Sequence, residues 1–146
     1  GCIVLSNLIN SVVYNFVEGD SVDWRVKAIR GATTASENTE AAIATAVTEL
    51  LQELEYRNRL DPDRIVSVIF TATKDLDAVF PAAIARRVHP EWRDVALMDV
   101  QQMHVEGSLP RCIRFLIHAN LPADVVIYHP YLRGASNLRP DRSLVS

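Results

Sequence analysis

The sequence predicts an α+β fold, with a mixed five-stranded sheet, one long helix and one short helix. Residues 65–70 form a run rich in β-branched side chains, which is typical of a buried strand. Apolar residues recur at helical spacing between Ile43 and Leu54, which predicts an amphipathic helix of about five turns. Other apolar or alternating runs predict the remaining strands.

The first predicted strand and the long helix follow one another closely. Residues 26–30 alternate in polarity and predict a strand that ends at Gly31. The next residues include good candidates for a helix N-cap, and glutamates among them favour a first helical turn. The candidates are Ser36, Asn38 and Thr39.

The second half of the chain predicts a short helix and three more strands. Pro81 fits the first position of a helix that runs through Val88, and Pro90 closes it. Asp61-Pro62 marks the stop before the buried run that starts at residue 65. The five predicted strands are residues 26–30, 65–70, 95–100, 111–119 and 125–132.

One face of this predicted sheet has no helix to cover it. A monomer would expose a large apolar patch there, and soluble monomers rarely do so. Homo-oligomerisation around a symmetry axis would bury that face. A ligand pocket between subunits is therefore an expectation.

Length, composition and charge limit the class of protein. A chain of 146 residues with 49% hydrophobic and 23% charged residues matches one ordinary globular domain. The net charge of -3 argues against a nucleic-acid partner, and no run approaches the ~20 apolar residues of a membrane helix. Cys2 and Cys112 are too few for a disulfide framework, so we expect a reducing cytoplasm.

The first residues of the chain differ from the rest. Asparagines interrupt their apolar stretches, and no Lys or Arg precedes Arg25, which argues against a signal peptide. We therefore expect an N-terminal extension of unknown role at residues 1–24 and a single domain at residues 25–146.

Three arginines lie in or beside predicted strands: Arg30, Arg114 and Arg139. Arginine stays charged in a protein and presents a planar fork of N–H donors that suits a carboxylate. Placing that charge at the edge of an apolar sheet is costly unless an anion or an acidic side chain meets it. The arginines predict a small ligand with more than one carboxylate. Structural salt bridges to Asp99 or Glu106 are the alternative.

Several short motifs, taken in order, resemble the monofunctional AroH-type chorismate mutases. The resemblance covers about residues 26–144. The motifs are Arg30-Gly31-Ala32-Thr33-Thr34, the stretch from Thr71 to Ala82, Cys112-Ile113-Arg114, Tyr131-Leu132 and Leu138-Arg139-Pro140-Asp141.

The resemblance implies a fold, an assembly and a reaction. Members of this family are homotrimers that form a pseudo-α/β barrel, with active sites at the subunit interfaces. They are isomerases that convert chorismate to prephenate by an intramolecular Claisen rearrangement, in phenylalanine and tyrosine biosynthesis. No cofactor, metal or covalent intermediate takes part.

The resemblance also implies roles for individual residues. Arg114 matches the family residue at the ether oxygen, Arg30 the residue that grips a carboxylate, and Tyr131 a tyrosine that hydrogen-bonds the same end of the substrate. Further substrate-binding positions are Phe80, Ala82, Arg86, Met98, Leu138 and Arg139.

The chain departs from the family next to the ring of the substrate. Where the family has a glutamate, this chain has Gln102, and where the family often has a cysteine, it has Asp99. We expect Asp99 to lie in a turn with Gln102 and to supply the lost negative charge. On this hypothesis Asp99 is the catalytic anion and Gln102 a neutral catalytic contact to the substrate.

Other interpretations remain open at this stage. A non-catalytic trimeric protein of the same fold that binds a metabolite is the alternative to an enzyme. Phe80 is expected to serve as both core and pocket wall, and Cys112 as a small buried apolar residue. The four histidines show no metal-ligand spacing, so no metal site is expected.

Overall fold

The computed structural model describes residues 21–141 as a four-stranded sheet with two α-helices. The strands stand in the order β1-β4-β2-β3; β2 and β3 are parallel, and the other pairs are antiparallel. The elements are β1 (Trp24–Thr34), α1 (Glu40–Asn58), β2 (Ile65–Ala72), α2 (Pro81–Val88), β3 (Ala96–Gln101) and β4 (Cys112–Pro122).

Both helices begin where the sequence predicts. The Thr39 hydroxyl caps α1 by accepting a hydrogen bond from the N–H of Ala42, at 3.1 Å. Helix α1 ends at Asn58, and Arg59 takes the left-handed conformation with φ of 48°. Helix α2 starts with Pro81 in its first turn, where the missing N–H costs nothing.

Strand β1 is longer than predicted because it continues through Gly31. A Cβ at Gly31 would lie 3.2 Å from Leu50 Cδ1 and 3.3 Å from Leu54 Cδ1. The glycine therefore lets α1 pack close to the sheet, and it does not end the strand. The predicted end at Gly31 was wrong for this reason.

The helices pack against one face of the sheet, which we call the covered face. Phe70 and Phe115 meet there edge to face, with ring centroids 4.7 Å apart. The side chains of Ile29, Ile113 and Ile117 are fully buried on the same face. With the apolar stripe of α1 they form the main hydrophobic core.

The fifth predicted strand, at residues 125–132, was wrong. Side chains occupy the backbone groups that a strand would use for its ladder. Asn58 accepts from the N–H of Tyr128 and donates to its carbonyl oxygen, both at 2.9 Å. The N–H of Arg30 bonds to Nδ1 of His129, and Pro130 has no N–H to offer.

An isolated parallel bridge also links the backbone of this segment to the sheet. The N–H of Ala32 donates to the carbonyl of Pro130 at 3.0 Å, and the N–H of Leu132 donates to the carbonyl of Ala32 at 2.8 Å. This bridge holds Tyr131 against the edge of β1, with only 5% of its surface exposed.

The opposite face, which we call the open face, is covered only in part, where Tyr131 and Ala135 pack on Ala32. Val26, Met98 and Val100 are exposed there, and Arg30 and Arg114 project from it. The expectation of an uncovered apolar face thus holds for part of this face. Within residues 21–141, no helix is long and apolar enough to cross a membrane.

The predicted N-terminal extension lies outside the described residues, apart from its last four. Of these, Trp24 begins β1, and its ring stacks under the guanidinium of Arg64 at 3.8 Å. Residues 142–146 at the end of the predicted domain lie outside them too.

Candidate active site

The alternation of side chains along the strands places Arg30 and Arg114 on the open face. Gly31 faces α1, so its neighbour Arg30 points the other way. Arg114 pairs with Ala32 of β1, and Arg30 pairs with Leu116 of β4. The two arginines are therefore diagonal neighbours, roughly 7–8 Å apart.

A cavity of about 340 Å³ opens between these arginines and the segment of residues 131–139. The bridge to Ala32 brings Tyr131 to its wall. The short 3-10 helix Arg133–Asn137 then turns the chain so that Leu138 and Arg139 face the same space. The cavity is lined by Arg30, Gly31, Thr71, Arg114, Phe115, Leu116, Tyr131, Leu138 and Arg139.

The charge in this cavity is mostly positive. No salt bridge to Arg30 or Arg114 is formed within residues 21–141, so the structural alternative with Asp99 or Glu106 is absent there. Arg139 hydrogen-bonds Asp141 through two nitrogens, at 3.1 and 2.9 Å, which raises the pKa of the guanidinium. A site with two arginine forks and no acidic partner suits an anionic ligand.

Cys112 lies beside Arg114 on the open face. Its side chain is fully buried, as predicted, and its thiol is free. Burial raises the pKa of the thiol, and the positive charge of Arg114 opposes that shift. Cys112 is thus a neutral neighbour of Arg114.

A second cavity, of about 570 Å³, lies at the outer edge of the sheet, beside β3. Phe80 and Asp99 line it, together with Lys74 and Asp77. Phe80 is 70% exposed, so the expectation that it belongs to the core was wrong for a single subunit. The preceding loop carries Phe80 outward as the residue just before α2, whereas the next residues, Pro81 and Ala82, are buried.

Asp99 points to the covered face. It pairs with Phe70, whose side chain lies in the core, and its carboxylate accepts a hydrogen bond from the N–H of Ala82 at 2.9 Å. That N–H is one of the unpaired donors at the start of α2. Burial raises the pKa of Asp99, while this bond and the charge of Arg86 lower it in part.

Within one subunit, therefore, Asp99 does not share the cavity of Arg30 and Arg114. Residues 98–101 belong to strand β3 and do not form the expected turn. Since side chains alternate along a strand, Met98 and Asp99 point to opposite faces. Asp99 lies with Phe80, Ala82 and Arg86 on a different side of the molecule from the arginine cavity.

Gln102 follows β3 directly. Its N–H donates to the carbonyl of Ala72 at 2.8 Å, which fixes it beside the end of β2. Its Oε1 atom is buried, and no described residue hydrogen-bonds it. Gln102 is not among the residues that line either of the two cavities in one subunit.

Thr71 is a cavity residue that sequence reasoning left without a role. It follows the buried run 65–70 and pairs directly with Arg114 across the sheet. The available signal was a polar β-branched residue at the end of an apolar strand. Its meaning depends on the register with β4, which the sequence does not provide.

Two of the four histidines, His89 and His104, contact carboxylates. His89 contacts Glu55 through Nε2 and Glu91 through Nδ1, the latter at 2.8 Å, and its ring stacks on Trp92. No group of three or more His, Cys, Asp or Glu side chains in the described part of the chain is placed to hold a metal ion.

Comparison with known proteins identifies relatives of this chain. The family profile "Chorismate mutase type I" matches residues 26–142. Chorismate mutase AroH of Bacillus subtilis is 38% identical over 82% of this chain and 94% of its own length. Chorismate mutase AroH of Thermus thermophilus is 42% identical over 80% of this chain and 95% of its own length.

A solved structure agrees with these relatives. A chorismate mutase from Clostridium thermocellum superposes with a TM-score of 0.71 at 47% identity. The match covers 77% of this chain and 99% of that one. This chain belongs to the chorismate mutase type I family.

Proposed function

We propose that this protein is a chorismate mutase that works as a homotrimer, each active site being formed between two subunits. The observation that carries the proposal is the cavity in which Arg30, Arg114 and Tyr131 meet without an acidic partner among the described residues. Chorismate is a dicarboxylate, so its recognition calls for arginine forks. We place the enzyme in the cytoplasm, where a free buried thiol such as Cys112 stays reduced.

The reaction makes a specific demand on the site. Chorismate breaks its ether C–O bond while a C–C bond forms within the same molecule, and negative charge develops on the ether oxygen. A fixed cation aimed at that oxygen stabilises the transition state more than the substrate. One donor of this kind contributes about 2.7–4 kcal/mol. Arg114 is our candidate for this contact.

Positioning must supply much of the remaining barrier reduction, because an enzyme lowers the barrier by at least ~8 kcal/mol. Holding the enolpyruvyl arm of chorismate over the ring removes conformational freedom before the reaction starts. Arg30 and Arg139 are our candidates for gripping carboxylates, with Tyr131 as a hydrogen-bond donor. Leu138 would form an apolar wall.

The rest of the active site would come from a neighbouring subunit. Phe80 is 70% exposed and Met98 60% exposed, which favours their burial against a partner. Ala82, Arg86 and Asp99 lie close to Phe80 at the start of α2. A trimer in which this edge meets the arginine cavity of the next subunit would complete the pocket and close the barrel.

A direct assay tests the activity. Purified protein should consume chorismate and produce prephenate, followed by the loss of chorismate absorbance. Arg114→Ala, purified in the same way, is the control for a contaminating mutase. A non-catalytic metabolite-binding protein would bind chorismate in calorimetry and leave it unchanged, and the neutral Gln102 is the feature that favours that alternative.

Subunit mixing tests the interfacial site. Arg114→Ala and Phe80→Asp should each be inactive as homotrimers, the second because it places a carboxylate next to the substrate. Co-refolding equal amounts should restore activity in about a quarter of the sites, by random assembly of the ring. No recovery, or light scattering that finds an active monomer, would contradict the arrangement.

Asp99 and Gln102 form a separate part of the proposal. Asp99 of one subunit would face the substrate bound by the next and supply the negative charge that Gln102 lacks. Asp99→Asn keeps an oxygen for the N–H of Ala82 but removes the charge, so turnover should fall much more than in Gln102→Ala. Combining Asp99→Ala with Gln102→Glu should regain part of the loss. Unchanged turnover in Asp99→Asn would contradict a catalytic role for Asp99, whose function would then be to cap α2.

A further inference from the structure

Thr71 carries a buried hydroxyl that its surroundings do not explain. Its Oγ1 atom has no hydrogen-bond partner among the described residues and is shielded from solvent. An unpaired buried hydroxyl costs free energy of folding. Valine has nearly the same shape, suits a strand equally well and would avoid that cost. The hydroxyl therefore calls for a hydrogen bond that forms only in the working site.

The register identifies Arg114 as that partner. Thr71 pairs directly with Arg114 across β2 and β4, so their Cβ atoms lie about 4.5–5.5 Å apart on the open face. Both residues line the cavity that holds Arg30 and Tyr131. A guanidinium has five N–H donors and no acceptor, whereas a threonine oxygen can accept. An N–H of Arg114 can therefore donate a hydrogen bond to the oxygen of Thr71.

We propose that Thr71 is a positioning residue that acts through Arg114. When substrate occupies the cavity, the Thr71 hydroxyl accepts a hydrogen bond from an N–H of Arg114 that does not face the substrate. This bond fixes the plane of the guanidinium and aims the remaining N–H groups at the ether oxygen. The inference rests on the proposed function and adds to it a residue that does not touch the reacting atoms.

Thr71→Val tests the proposal because it removes the hydroxyl and keeps the shape. We expect kcat to fall about 10- to 100-fold, because small errors in the position of a catalytic group are costly. KM should change less than kcat, since Thr71 is not assigned to carboxylate binding. The melting temperature should stay the same or rise, because an unpaired hydroxyl is lost. Thr71→Ser should keep kcat within about threefold of the wild type.

Thr33 provides a matched control within the same protein. Its Oγ1 is also buried and lacks a partner among the described residues. Thr33 pairs with Ile113 and faces the covered side of the sheet, away from the cavity. Thr33→Val should therefore leave kcat unchanged. Equal losses in the two variants would assign both to general effects on packing and overturn the inference.

The Arg114→Ala variant tests whether Thr71 acts on turnover through Arg114. Adding Thr71→Val to Arg114→Ala should cause no further loss, because the group to be positioned is absent. The inference is overturned if Thr71→Val alone keeps kcat within twofold, or if its loss persists without Arg114. Wild-type protein that fails to convert chorismate would instead overturn the proposed function, so the two failures are distinguishable.

Discussion

The two faces of the sheet differ in what they contribute, although the same strands build both. On β4, Ile113 is fully buried against α1, whereas its neighbour Arg114 is exposed on the other side. On β1, the buried Ile29 precedes the exposed Arg30 in the same way. Consecutive residues thus face the hydrophobic core and the proposed ligand site alternately.

This comparison explains how two close cations are tolerated. The covered face stabilises the fold by burying apolar side chains, each worth about 1.5–3 kcal/mol. On the open face the guanidinium groups of Arg30 and Arg114 remain hydrated until a ligand or a neighbouring subunit arrives. Their mutual repulsion is weak in water, at about 1 kcal/mol or less. Substitutions on the covered face should therefore change stability and spare activity, and substitutions on the open face should do the reverse.

The largest effect is expected from Arg114→Ala. Turnover should fall about 100- to 1000-fold, because the charge that we propose to face the breaking bond is lost, while the melting temperature changes little. Arg114→Lys should recover only part, because an ammonium lacks the planar fork. Arg57→Ala, which removes an arginine from the outer surface of α1, is the control. Arg114→Ala with more than a tenth of wild-type turnover, a loss under ~1.4 kcal/mol, would contradict the mechanism.

Ile113→Ala is the converse experiment on the covered face. Removing this buried side chain should lower the free energy of unfolding by about 2–5 kcal/mol, measured by urea titration. Turnover per folded molecule should stay within a few-fold, since the side chain faces away from the cavity. A loss of turnover as large as that of Arg114→Ala would break the separation of the two faces.

Asn58→Ala should have a smaller effect that reaches both faces. Asn58 lies on α1, yet its amide satisfies both backbone groups of Tyr128, three residues before Tyr131. Removing it leaves those groups unpaired and should cost about 1–3 kcal/mol of unfolding free energy. We also expect KM to rise because Tyr131 loses support. An unchanged KM would show that the bridge to Ala32 suffices to place Tyr131.

The smallest expected effect is a pH dependence of stability that comes from Asp75, next to the start of β4. Burial opposes ionisation of Asp75, but hydrogen bonds from Thr73 and from the N–H of Arg111 outweigh it and lower its pKa. A lowered pKa in the folded state stabilises the protein above the unfolded pKa, near 3.9, and this contribution is lost as pH falls through the folded value. The difference in melting temperature between wild type and Asp75→Asn should therefore shrink below about pH 4. A difference in melting temperature that stays constant down to low pH would contradict a stabilising role for ionised Asp75.

The sequence predicted the local elements well, and the errors involve residues distant in the chain. Thr39 and Pro81 indicate where the two helices begin, Thr39 through its side-chain oxygen and Pro81 through its missing N–H. The segment 125–132 looks like a strand, because nothing nearby reveals that Asn58 takes up its backbone groups. The resemblance supplied Arg30 and Arg114 as candidates, but the side of the sheet on which Asp99 lies depends on register.

The strand register determines where such a protein can accept insertions and deletions during evolution. Thr34 pairs with Cys112, and Ala72 pairs with both Ile113 and Gln101, so three strands end and the fourth begins along one rim. The connecting loops that leave this rim can gain or lose residues without altering the ladder behind them. New pocket shapes are thus accessible by loop variation at this rim alone.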